Sequence, residues 1–146
     1  MADSETAQRA AVVGEARSWI GTPYHNCADI KGAGVDCAML LAEVYERCGL
    51  VAHVDAGYYP PDWHLHRDAE RYLDRLLLYA REVEGLPLPG DAAVFRFGRT
   101  FSHGAIVIAW PVVIHAYWAA RRVVWGDATR YPLVGREARF FGVIDD

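Results

Sequence analysis

The chain has 146 residues, 53% of them hydrophobic and 23% charged, with a formal net charge of −4. That length suits one domain with its own core, and the composition is that of a folded globular chain, which excludes disorder. No apolar run reaches the roughly 18 residues of a membrane span. The acidic start Met1-Ala2-Asp3-Ser4-Glu5 does not read as a secretory signal, and Arg121-Arg122 is too local a basic pair to mark a nucleic-acid partner. The expectation is a single domain over residues 1–146, made in the cytoplasm, with no nucleic-acid partner and no membrane span.

The spacing of apolar residues predicts a first helix from about Glu5 to Ile20, capped by Asp3 or Ser4 and stopped by Gly21. Val12, Ala16, Trp19 and Ile20 form its apolar face. A turn-rich segment, Gly21 to Cys27, and a loop with two glycines, Lys31-Gly32-Ala33-Gly34, come next. A second helix starts at Cys37 behind Asp36 as N-cap. Cys37, Leu40, Leu41, Val44 and Cys48 recur at helical spacing, and Gly49 sits where a left-handed terminating residue belongs.

The loop Tyr58-Tyr59-Pro60-Pro61 leads to a third helix, expected from about Asp68 to Glu82, with Ala69, Tyr72, Leu73, Leu76, Ala80 and Val83 on its apolar face. Leu86-Pro87-Leu88-Pro89-Gly90-Asp91 ends helical character. From there the pattern is that of strands: Ala92–Phe97, His103–Ala109, Val112–Trp118, Arg122–Trp125 and Phe140–Ile144. Helices first and strands later define an α+β class, with N-terminal helices packed on an antiparallel sheet of about five strands.

The chemistry centres on three cysteines and six histidines. Cys48 ends an amphipathic helix on its apolar face and reads as core. Cys27 lies in a polar loop near His25, with no helix start to lower its pKa. Cys37 falls at the first position of a helix, where main-chain amides and the helix dipole favour a thiolate and can serve as an oxyanion hole. By position alone it is either a nucleophile or a small core residue. The cysteine spacing fits no zinc-ribbon pattern, and a zinc site from Cys27, Cys37, His25 and His103 lacks a short ligand pair to set its geometry. His53 carries no signal, and His64 and His66 lie in a polar approach to the third helix.

A thiol nucleophile needs a base and usually a third group that orients the base. His103 and His115 lie on successive strands, 12 residues apart. If residues whose numbers sum to an even total face one another, both imidazoles share a sheet face within side-chain reach; an odd register separates them. Sequence leaves that open.

Five separated motifs then resemble the NlpC/P60 family of papain-like cysteine peptidases. Gly21-Thr22-Pro23-Tyr24 is similar to the family's G-T-P-Y, and Val35-Asp36-Cys37 with Leu40-Leu41 to its D-C-S-G-L helix start. Pro89-Gly90-Asp91 with Ala93-Val94-Phe95 resembles P-G-D-L-v-F. Ser102-His103-Gly104-Ala105-Ile106-Val107-Ile108 resembles s-H-v-G-I-y-i, and Ile114-His115-Ala116 its i-H-A. The resemblance runs from about Ala7 to Trp118. It implies a triad in which Cys37 attacks, His103 moves the proton and His115 orients His103, with Tyr24, Asp36 and Ala38 lining the substrate or oxyanion position. It implies no cofactor and no metal.

The family's substrate is the stem peptide of peptidoglycan, typically cut between D-glutamate and a diamino acid. The compact form with Thr-Pro-Tyr-His looks most like the subgroup encoded with phage tail proteins, so delivery to the wall by a tail or another complex is expected. Two segments depart from the pattern: Ala38 and Met39 replace the family's serine and glycine, and His25-Asn26-Cys27 replaces Gly-Gly, which alters the cleft wall. Other readings are an amidase or acyltransferase acting on an apolar substrate across an aromatic rim (Tyr58, Tyr59, Trp63, Trp118), and a non-catalytic component of a phage tail.

Overall fold

The computed structural model describes residues 4–54 and 71–144. Helix α1 spans Ser4–Ser18, two residues short of the sequence expectation. Trp19 and Ile20 close it with tighter bonds to the carbonyls of Ala16 and Arg17. Trp19 is buried, whereas Ile20, expected beside it, is exposed because the helical path has ended. Ser4 is already helical, and the alternative cap Asp3 lies outside the described residues, as do Tyr58, Tyr59, Trp63, His64, His66 and Asp68 to Glu70.

A two-stranded ribbon, β1 (Asp29–Ile30) and β2 (Gly34–Val35), precedes α2, which spans Cys37–Arg47. The second helix follows the sequence closely: Asp36 caps it through the amides of Ala38 and Met39, and Gly49 adopts φ +73°. Within the described residues helix α3 covers Arg71–Leu76. The expected helix to Glu82 gives way to a strand, β3 (Arg81–Val83). Apolar spacing through Ala80 and Val83 continues a helical period, but the edge of a sheet offers these residues main-chain partners: Arg81, Glu82 and Val83 pair with Gly142, Phe141 and Phe140. Arg139 clasps Glu82 through both carboxylate oxygens across that edge.

The remaining strands are β4 (Ala92–Phe97), β5 (Thr100–Ala109), β6 (Val112–Tyr117), β7 (Arg122–Asp127) and β8 (Ala138–Gly142), with a 3-10 turn at Trp118–Ala120. They form one antiparallel sheet of six strands in the order β3-β8-β4-β5-β6-β7. The sixth strand is β3, hidden in the sequence by its helical spacing. Alternate residues of β4, β5 and β6 are buried on both faces. Val94, Ile106, Ile114 and Ala116 pack with the helices around Trp19, Leu40 and Val44. Ala93, Phe95, Phe97, Ala105, Val107, Val113 and Tyr117 form a second cluster closed by Leu133. Burial on both faces explains why these strands read as near-continuous apolar runs.

The segment after α1 is sewn to the sheet by main-chain bonds. Gly21 donates to Val123, Val123 to Thr22 and Tyr24 to Arg121, while Val35 donates to Pro23 and His25 to Val35. Tyr24 is thereby held against the start of α2. Gly34 allows the close approach: a Cβ there would lie 2.8 Å from the His25 Cβ. Gly34→Ala is expected to force the two segments apart and cost about 1–3 kcal/mol in chemical denaturation, and an unchanged midpoint would refute this account of the packing.

Candidate active site

Cys37 is the first residue of α2, and its position is set by Asp36, whose carboxylate is buried. Oδ1 accepts from the amides of Ala38 (3.1 Å) and Met39 (2.9 Å), and Oδ2 from the amide of Cys27 (2.7 Å). One carboxylate thus caps the helix and ties the preceding loop to it, with Cys27 held at φ +63°.

The β5–β6 register is the even one: Ile106 faces Ile114 and Val107 faces Val113. His103 and His115 consequently share a face, and their rings meet in a buried hydrogen bond, His103 Nε2 to His115 Nδ1, at 2.7 Å. Phe97 (4.9 Å between ring centroids), Trp118 (5.8 Å) and Tyr117 (5.9 Å) surround His103, and Tyr117 stacks on His115 at 5.5 Å. Phe97 and Tyr117 escaped the sequence reading. The available signal was their two-residue spacing from Phe95 and His115, which places them on the histidine face once the register is known. Gly126 leaves room behind His115, since a Cβ there would come within 2.8 Å of Nε2.

Cys37 meets the same strand from the helix side. Phe95 pairs with His103 and Arg96 with Phe101, so Ser102 is an extra residue, a β-bulge. The Cys37 thiol donates to the Ser102 carbonyl at 3.7 Å rather than to an imidazole. The sulfur therefore rests against the main chain flanking His103, while the His103 ring continues the opposite face with Ala105 and Val107.

The electrostatics temper one expectation from sequence. Burial, joined by the charge of Asp36, pushes the Cys37 thiol up to about 12, against the opposing pull of the Gly104, Cys37 and Ala38 amides. The helix-start amides act in the expected direction and are outweighed, because the thiolate would be formed out of water beside a carboxylate. Two of the first-turn amides, those of Ala38 and Met39, are also committed to Asp36. Burial raises the pKa of the Tyr24 phenol, with the Cys37 amide pulling the other way. The oxyanion donors foreseen at the helix start therefore narrow to the Cys37 amide with Tyr24 beside it. Ala38 borders an apolar cavity of about 80 Å³ between α2 and α3, lined also by Met39, Tyr45, Tyr72 and Leu76.

The other candidates lie elsewhere. His53 bonds to Glu46 on the surface, and Cys48 packs at the margin of the core. Cys27, Cys37 and Cys48 are all outside disulfides. Among the described residues, the group of three ligand atoms that converges is Glu43, Glu46 and His53; Cys27, Cys37, His25 and His103 form no such group.

Burial lowers the pKa of His115 to about 4. Its folded-state value lies below the ordinary 6.5, so the unfolded chain binds a proton that the folded chain refuses between those values. Stability should be unaffected by this residue above pH 6.5 and should fall by about 3 kcal/mol as pH drops toward 4. The difference between wild-type and His115→Gln stability, followed by urea unfolding across this range, isolates the effect; parallel curves would refute it.

A scan of the sequence against protein-family models finds no match, and no curated protein matches. Solved structures do. NlpC2 from Trichomonas vaginalis aligns with a TM-score of 0.69 at 17% identity, over 92% of this chain and 45% of that one. The NlpC/p60 domain of the peptidoglycan hydrolase SagA aligns at 0.62 and 21% identity, over 90% and 96%. The P60 domain of an antigen from M. avium subspecies paratuberculosis aligns at 0.61 and 18% identity, over 99% and 100%. The chain spans less than half of the Trichomonas protein and nearly all of the two isolated domains. At these identities the likeness is one of architecture, and it is consistent throughout: this chain has the NlpC/P60 fold.

Proposed function

We propose that residues 1–146 form one catalytic domain, a cysteine peptidase that hydrolyses stem peptides of bacterial peptidoglycan, with Cys37 as nucleophile, His103 as base and His115 as the group that orients it. The observation that carries this reading is the buried 2.7 Å bond between the two imidazoles on the strand against which the Cys37 sulfur is packed. The peptidoglycan hydrolase SagA, whose domain shares the fold, supports the choice of substrate.

Burial keeps His115 neutral. With His103 donating from Nε2 to His115 Nδ1, the His103 lone pair is left on Nδ1, which becomes the nitrogen that takes the thiol proton. Because the His103 ring continues the sheet face away from the sulfur, this step requires the bulged strand at Ser102–His103 to shift so that Nδ1 comes round to Cys37. The thiol then leaves the Ser102 carbonyl, and sulfur attacks the peptide carbonyl as its proton passes to Nδ1. The carbonyl oxygen develops charge toward the Cys37 amide and the Tyr24 hydroxyl. The protonated His103 then supplies the leaving amine, and water releases the acyl group by the reverse sequence. Tyr117, Phe97 and Trp118 shield the imidazole pair and keep its bond strong. Delivery by a phage tail or another complex extends the same reading and rests on the Thr22-Pro23-Tyr24-His25 motif.

The apolar cavity beside Ala38 favours a second substrate class, an acyl thioester or lipid amide attacked by the same sulfur. Both are tested by incubating the purified chain with a D-glutamyl–diamino-acid stem peptide and, separately, with a fatty-acyl thioester, and identifying products by mass spectrometry. Stem-peptide cleavage is expected, falling roughly 10²–10⁴-fold in His103→Ala, less in His115→Gln, and to background in Cys37→Ala. Wild-type turnover by Cys37→Ala would overturn the mechanism, and thioester turnover alone would move the substrate to the second class.

A further inference from the structure

The Cys37 sulfur faces two main-chain groups of a single strand. One is the carbonyl of Ser102, to which the thiol donates at 3.7 Å. Two residues on, along the same edge of the strand, the Gly104 amide pulls the sulfur toward the thiolate. A regular strand would spend the Ser102 position in the β4 ladder; the bulge between the Phe95–His103 and Arg96–Phe101 pairs removes it from that ladder.

The approach is made close by a second contact. A Cβ on Gly104 would fall on the Tyr72 hydroxyl, 2.7 Å from its Cζ, and 3.1 Å from the Leu41 Cδ2. The same Tyr72 hydroxyl donates to the Cys37 carbonyl at 3.3 Å. Tyr72 thus fills the space that a side chain at 104 would need, and pins the first turn of α2 while doing so.

We propose that Ser102–Gly104 is a two-state main-chain cradle for the Cys37 sulfur: the Ser102 carbonyl holds the protonated thiol, the Gly104 amide receives the thiolate, and residue 104 is glycine so that the strand can come this near. The proposal rests on Cys37 being the nucleophile. When the S–H bond breaks, the proton forms an N–H bond at His103, the electron pair stays on sulfur, and sulfur exchanges an accepting carbonyl for a donating amide. The Gly104 amide is then a catalytic group that substitution of Cys37 or His103 would never disclose.

The test replaces the His103–Gly104 peptide bond by an ester, installing glycolic acid at position 104 in the full chain, which deletes the amide hydrogen alone. Iodoacetamide alkylation of Cys37, read by peptide mass mapping across pH, should be about tenfold slower at a given pH, a displacement of one pH unit in the profile. An unchanged profile would overturn the cradle. Gly104→Ala keeps the amide but collides with Tyr72, and it should slow alkylation similarly. Gly104→Ala combined with Tyr72→Ala restores the room and should recover the rate to within about threefold of the Tyr72→Ala single variant; no recovery would overturn the role given to residue 104, and this pair decides the matter if the ester chain does not fold. Stem-peptide hydrolysis is scored separately. Alkylation shifts without hydrolysis would leave the cradle standing and remove the peptidase, and hydrolysis with a flat profile would do the reverse.

Discussion

A buried carboxylate, Asp36, organises the site. It accepts three main-chain amides, two from the first turn of α2 and one from Cys27. A helix start buried against a sheet leaves donors that water cannot reach, and an unsatisfied buried amide costs about 1–3 kcal/mol. The carboxylate answers two of them and anchors the loop that carries Tyr24. The same charge has a chemical consequence, because it opposes ionisation of the neighbouring Cys37 thiol. The residue that places the Cys37 sulfur thus adds to the burial that keeps it protonated.

That coupling shapes the rest of the site. With both imidazoles buried, Cys37 buried and an acid next to the sulfur, charge separation in the resting state is disfavoured. In the proposed mechanism the proton is best moved together with bond formation, when negative charge leaves the sulfur for the substrate oxygen. The role proposed for His115, kept neutral by burial, is then chiefly to fix which His103 nitrogen carries hydrogen. The aromatic shell of Phe97, Tyr117 and Trp118 excludes the water that would compete for that bond.

The bulge at Ser102 gives the strand a second role. Strands ordinarily contribute side chains to a site and spend their main chain on neighbouring strands. Here one extra residue turns a carbonyl toward the Cys37 sulfur, and Gly104 lets the helix and strand approach to main-chain distance. Bulges beside active sites recur because they re-aim groups without disturbing the sheet on either side.

Sequence alone determined the elements whose signals are local. Asp36 before Cys37, the apolar spacing through Val44 and Gly49 at the end fixed α2 almost to the residue, since capping and helical period act over one or two turns. The five motifs, in order, pointed to the fold that the solved structures share. Tertiary structure decided what depends on distant partners. The stretch to Glu82 keeps a helical period, yet Arg81–Val83 is a strand because β8 supplies hydrogen bonds that no local preference encodes. The approach of His103 to His115 hung on the parity of a register, and the shell of Phe97 and Tyr117 followed only from that register. The thiol's protonation was likewise beyond local reading: the helix-start amides are visible in sequence, but the burial that outweighs them exists only once the sheet has closed over the sulfur.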